Sequence, residues 1–150
     1  MADAQAVDRG VALPVRVGAG IVGGLVGGVG FGVLMQAMGM MPMVADLIGS
    51  SSEGVGWLVH LFNSALFGAV FVVLFSRVLQ DLGVTALLGL VYGAAWWVLG
   101  ALWIMPAWLG MSEMVFEVGD AQWQSLVGHL FYGLLLAVTY LVLTARMARR

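Results

Sequence analysis

The sequence predicts an all-α fold: a polytopic membrane four-helix bundle, built from a tandem two-helix (hairpin) repeat with parallel topology. Three observations lead there. Of 150 residues, 62% are hydrophobic and 9% charged, against about 25% charged in ordinary soluble domains. Four apolar stretches are each long enough to cross a bilayer. The stretch 57–68 (WLVHLFNSALFG) returns at 126–137 (LVGHLFYGLLLA), and each copy holds one of the two histidines in the chain.

Composition narrows the function classes. The chain has no cysteine, which excludes disulfides, thiolate nucleophiles and Cys-ligated zinc or iron–sulfur centres. It has no lysine either, which removes Schiff-base chemistry and the P-loop. A net charge of −2 gives no reason to expect nucleic acid as a partner. No HExxH, GxSxG or nucleotide motif occurs, so the expectation is a protein without enzymatic activity.

Residues 1–14, with Asp3, Asp8, Arg9 and Pro14, read as a short cytoplasmic tail. The apolar run behind them is about twice the length of a signal-peptide core and has no clear cleavage site, so it reads as a span. Residues 15–150 then form one transmembrane domain, with repeat one at about 15–80 and repeat two at about 81–150. The spans are expected near 15–41, 55–76, 83–105 and 124–145. Each supplies the run of about 20 apolar residues that a helix rising 1.5 Å per residue needs. No charge falls in the middle of any of them, where it would cost about 3 kcal/mol on insertion scales. A β-barrel would instead show alternating segments of about ten residues.

The connections fix an orientation. Arg9, Arg16, Arg77, Arg146, Arg149 and Arg150 lie in the tail, in the short 77–83 hairpin and at the C-terminus, places that four spans put on one side. The longer connections, 42–54 and 106–123, carry Asp46, Glu53, Glu113, Glu117 and Asp120. The positive-inside rule therefore predicts a multi-pass cell-membrane protein with both termini cytoplasmic. Trp57, Trp108 and Trp123 then fall near the outer boundary, where indoles anchor at the headgroups.

Laying His60 on His129 makes seven of the eighteen positions in 60–77 and 129–146 identical, the terminal Arg77 and Arg146 included. A shared histidine and arginine are not coincidences of an apolar alphabet. Upstream, 37–42 (AMGMMP) resembles 101–106 (ALWIMP), with a proline expected to close the helix in each case. A duplicated two-span hairpin keeps both halves in the same orientation, so the implied twofold axis runs along the membrane normal. The strings 92–106 (YGAAWWVLGALWIMP) and 125–133 (SLVGHLFYG) resemble uncharacterised small four-span integral membrane proteins of bacteria and archaea. That resemblance covers mainly the second half and implies the fold alone.

Three features carry possible chemistry. Gly20, Gly24, Gly28 and Gly32 recur every fourth position, with Gly23 and Gly27 on an adjoining line and Gly89 and Gly93 in the third span. Such stripes let another backbone come close, within the monomer or between protomers. They could also admit a lipid or a flat cofactor. The histidines share their faces with small residues: Gly56, Ser64 and Gly68 beside His60, and Ser125, Gly133 and Ala137 beside His129. An ionisable group at membrane depth is a functional candidate by default. The two imidazoles could hydrogen-bond between helices, ligate haem b as paired axial ligands, or bind a metal ion. For a porphyrin, Phe62, Phe131, Trp96 and Trp97 would be the apolar walls. Third, 35–43 (MQAMGMMPM) holds five methionines; thioethers select Cu(I), which makes Met38, Met40 and Met41 a candidate metal site.

Every Asp and Glu lies in a tail or loop, which argues against ion-coupled transport through a buried carboxylate. The leading expectation is a small non-enzymatic integral membrane protein acting by helix packing, as a subunit or homo-oligomer, with the lipid bilayer and a membrane-protein partner as its surroundings. The alternatives are a haem b electron carrier using His60 and His129, and a Cu(I) or small-solute transporter.

Overall fold

The computed structural model describes residues 11–79 and 81–149. Most of the expected tail (residues 1–10), Gln80 and Arg150 lie outside the described residues. Helix α1 (Leu13–Ala37) starts with Pro14 in its first turn, where the missing N–H would have no helical partner anyway. It ends at Ala37. Gly39, at φ +68°, turns the chain in a left-handed conformation that suits glycine. The short α2 (Met41–Asp46) follows, then α3 (Glu53–Phe75). Asp81 caps the next helix by accepting from the Val84 N–H at 3.1 Å.

Helix α4 (Leu82–Trp108) is a continuous rod wound as π-helix over Trp97–Ile104, towards its C-terminal end. Helix α5 (Asp120–Ala148) is the longest. All four long helices are long and apolar enough to cross a membrane, and no strand occurs among the described residues. Pro106 lies in the last turn of α4, two residues before its end, whereas Pro42 sits in the first turn of α2 instead of closing α1. The ring fixes a helical φ and needs no N–H there.

Helix α1 is the centre of the bundle. It packs on α3 along one face and on α5 along another, while α4 packs on α5 and α2 covers the start of α3. Its two glycine lines divide this work. A Cβ placed on Gly20 would sit 2.6 Å from the Gly68 carbonyl oxygen, and one on Gly24 would strike that of Ser64. Gly32 makes room for the Trp57 ring. On the other side, a Cβ on Gly23 would lie 2.8 Å from the Leu136 oxygen and one on Gly27 2.7 Å from that of Tyr132. In the second half Gly89 meets the Gly133 backbone and Gly93 that of His129. Residue numbers rise on one helix as they fall on its partner, so each of these pairs is antiparallel. Without Cβ atoms the helices approach backbone to backbone, which is how packing contacts accumulate when lipid replaces water as the competing solvent.

Polar groups tie the seams. At the end of the bundle that carries the termini, the Arg16 guanidinium donates to the Tyr140 hydroxyl through Nε at 2.9 Å and to the Ser76 carbonyl through Nη2. Higher up, the Tyr132 hydroxyl donates to the Ser64 carbonyl and the Tyr92 hydroxyl to that of Phe67, both at 2.8 Å. The α3–α4 seam is built differently from the other three. It has no line of small residues; Phe67 stacks on Trp96 at 3.8 Å between ring centroids, and Tyr92 tilts against Phe71.

Candidate functional site

At the end of the bundle away from the termini the helices line a half-open apolar chamber of about 300 Å³. Phe31 and Met35 from α1, Ser64 and Phe67 from α3, and Tyr132 from α5 form its deeper walls. The π-wound part of α4 lends Gly100, Ala101 and Ile104 to one side. The roof comes from both long connections: Met43 and Val44 of α2 with Leu47 just after it, and Leu109, Met111 and Met114 beyond α4. The roof is tied together where the Trp108 indole donates to the Leu47 carbonyl at 3.1 Å and the Phe116 N–H to that of Leu102 at 2.8 Å.

Both histidines line this chamber. His60 is 8% exposed, and its Nε2 donates to the Gly28 carbonyl of α1 at 2.9 Å. The Nδ1 of His129 donates to the Ser125 carbonyl one turn back at 2.8 Å. A carbonyl can only accept, so these bonds decide the tautomers. The proton is on Nε2 in His60 and on Nδ1 in His129. In a neutral ring, the other nitrogen of each is then a bare lone pair, and neither accepts a hydrogen bond among the described residues. Phe31 packs edge-on against both rings, with centroids 5.5 Å from His60 and 4.7 Å from His129. Gly128 leaves the space that Phe31 fills; a Cβ there would strike its ring atoms.

This geometry removes the slot expected for a porphyrin. The small residues beside each imidazole are covered by other helices: Ser64 and Gly68 by α1, Gly133 by α4. The ring of Phe31, itself 5% exposed, lies against both histidines. Of the intended walls only Trp96 reaches the chamber. Phe62 is 70% exposed and Phe131 41%, both on the outside of the bundle, and the Trp97 indole donates to the Gln122 carbonyl.

The candidate metal set Met38, Met40 and Met41 is not brought together. Met41 is wholly buried against α3, Met38 caps α1, and only Met40 lines the chamber. The reason is the turn at Gly39, which points neighbouring side chains in different directions. The chamber gathers other methionines instead: Met35 and Met43 from the first half, Met105, Met111 and Met114 from the second. One signal in the sequence points to them. Eight of the ten methionines fall in 35–43 and 105–114, on either side of the two long connections.

No protein-family model, curated protein or solved structure matches the chain.

Proposed function

We propose that the chain is a small, non-enzymatic, multi-pass membrane protein that works as a binding protein, with the chamber as its working part. One observation carries this reading: a cavity of about 300 Å³, at the lower end of the usual range for ligand pockets, has a mostly apolar wall and a few polar groups converging on it. His60, Asn63, Ser125, His129 and Tyr132 are those groups.

Two finer readings belong with it. The bundle is a duplicated hairpin with both halves in the same orientation. In support, α3 and α5 each run antiparallel to α1, and superposing His60 on His129 pairs Ser64 with Gly133. Those two residues receive Gly24 and Gly89 respectively. Both termini are cytoplasmic, and the chamber lies in the outer half of the membrane. In support, the described arginines Arg16, Arg77, Arg146 and Arg149 are at the end of the bundle opposite Asp46, Glu53, Glu113, Glu117 and Asp120.

The test is photolabelling of the detergent-solubilised protein with a diazirine-bearing octanol, followed by peptide mapping. Labels are expected in 96–114 and 121–132, and lost in Ala101→Trp, which fills the chamber. Labels confined to outward-facing positions such as Leu58 and Val91, unchanged by the filling substitution, would overturn the reading.

A further inference from the structure

The donor atoms around the chamber name a ligand class. Six methionines line it: Met35, Met40, Met43, Met105, Met111 and Met114. They come from five places in the chain, the end of α1, the turn before α2, α2 itself, the last turns of α4 and the loop beyond it, and converge only in the folded molecule. At the deeper end His60 and His129 each keep one nitrogen that makes no hydrogen bond among the described residues, because the other is committed to a backbone carbonyl. Among the described lining residues there is no Asp, Glu, Lys or Arg.

Each property selects. Thioether sulfur is a soft donor and imidazole a borderline one, a combination that favours Cu(I) over hard cations bound by oxygen. The absence of charge from the wall selects by valence. The electrostatic cost of taking an ion out of water rises with the square of its charge, and a wall of neutral donors offsets that cost for a monovalent ion far better than for a divalent one. Zn(II) sites use thiolate, carboxylate or several imidazoles; this chamber offers two imidazoles and no anion. The methionines of α2 and of the loop (Met43, Met111 and Met114) are in the roof, with Met35 and the histidines beneath them, so sulfur donors line the path from the connections inward.

We propose that the chamber is a binding site for a soft monovalent metal ion, Cu(I) or its redox-inert analogue Ag(I), held by methionine sulfur with the free nitrogen of His129 or His60. This inference rests on the chamber being the working site and specifies its guest. The step is binding alone, with no change of oxidation state.

The experiment uses the whole chain in dodecyl maltoside under anaerobic, reducing conditions, titrated with Cu(I) held by a coloured chelator. The protein is expected to withdraw about one Cu(I) per chain and no Zn(II). Met→Leu is close in volume, so variants keep the fold. The pair Met35→Leu with Met105→Leu, and separately His129→Leu, are each expected to weaken binding at least tenfold. Met38→Leu with Met147→Leu, outside the chamber, leaves it unchanged. Ag(I) is expected to protect residues 96–114 from the diazirine octanol.

The proposal is overturned if no Cu(I) leaves the chelator, or if binding survives replacement of all six chamber methionines by leucine. It is also overturned if Zn(II) binds as well as Cu(I). Photolabelling of the chamber without copper uptake would sink the metal reading alone. Absence of both would sink the chamber as the working site too.

Discussion

A substitution at Gly20 measures how much of the fold depends on helices touching backbone to backbone. A Cβ at this position would sit 2.6 Å from the Gly68 carbonyl oxygen, where ordinary contact begins at 3.4 Å. Helix α1 and helix α3 must therefore open by about 0.8 Å, and a gap of that size forfeits about a quarter to a half of the dispersion well for atoms facing it. A seam patch approaching one buried leucine holds about 40 atom pairs at about 0.15 kcal/mol each, about 6 kcal/mol in all, so the loss is about 1.5–3 kcal/mol. Helix α1 cannot recoil, because its opposite face is already set against the Leu136 and Tyr132 backbones. Alanine returns about 0.5–1 kcal/mol through its better helix propensity, leaving Gly20→Ala destabilised by about 1–2 kcal/mol. Gly18, two residues earlier, is the internal control. A Cβ there meets nothing within 4 Å, so Gly18→Ala keeps the propensity gain and no cost. Unfolding in mixed dodecyl maltoside and SDS micelles, followed by tryptophan fluorescence, should separate the two variants by the packing loss alone, about 1.5–3 kcal/mol. A separation below about 0.5 kcal/mol would refute the backbone-contact argument.

Other substitutions probe the polar ties in the same assay. His60→Leu removes the donor to the Gly28 carbonyl and should cost about 1 kcal/mol, a value typical of interhelical bonds in membranes; no loss would mean that this bond contributes nothing. Tyr132→Phe and Tyr92→Phe each delete one hydroxyl that donates to a carbonyl on α3, and each should cost about 0.6–1 kcal/mol; Tyr92→Phe, outside the chamber wall, should leave photolabelling of the chamber unaltered. Arg16→Met takes away donors to Tyr140 and Ser76 together and should cost about 1.5–3 kcal/mol. Arg16→Lys should recover only part of it, because an ammonium lacks the guanidinium's spread of donors; full rescue by lysine would contradict the two-partner geometry.

The long apolar runs made the four helices legible, since nothing shorter or more polar interrupts them and lipid punishes any other backbone arrangement. The spacing of Gly20, Gly24, Gly28 and Gly32 indicated a close helix neighbour, but it does not say which one. Only the register shows that this line takes α3 and that Gly23 and Gly27 take α5. The histidines stood out because there are two of them in equivalent settings. Their roles depended on helix rotation, which an all-apolar sequence encodes weakly: with lipid outside and apolar side chains inside, hydrophobicity does not mark the buried face. Phe31 illustrates this. Nothing distinguishes it in sequence from the exposed Phe62, yet it fills the space beside Gly128 and touches both imidazoles. Met111 and Met114 were hidden for another reason: they belong to a connection, and the wall they share with Met35 forms only through the long-range fold.

The chamber itself follows from where the small residues stop. Three seams, α1–α3, α1–α5 and α4–α5, are drawn tight by glycines that meet backbone. The fourth, between α3 and α4, is bridged by large rings, Phe67 on Trp96 and Tyr92 against Phe71. A stacked ring pair needs several ångströms more between helix axes than a glycine contact, so a bundle closed on three sides must gape on the fourth. Beyond Trp96 the gap widens where α4 changes to π winding, a form frequent at functional sites. The methionines meet there because the two long connections must cross that opening, and flexible thioether side chains can cover an irregular gap without filling it. Replacing Trp96 by leucine should therefore do more than remove a contact. With the ring gone the α3–α4 seam can close, and both copper uptake and photolabelling of 96–114 should fall together while the four helices persist by circular dichroism. If Trp96→Leu left both signals intact, the chamber would owe its existence to something other than the unequal seams.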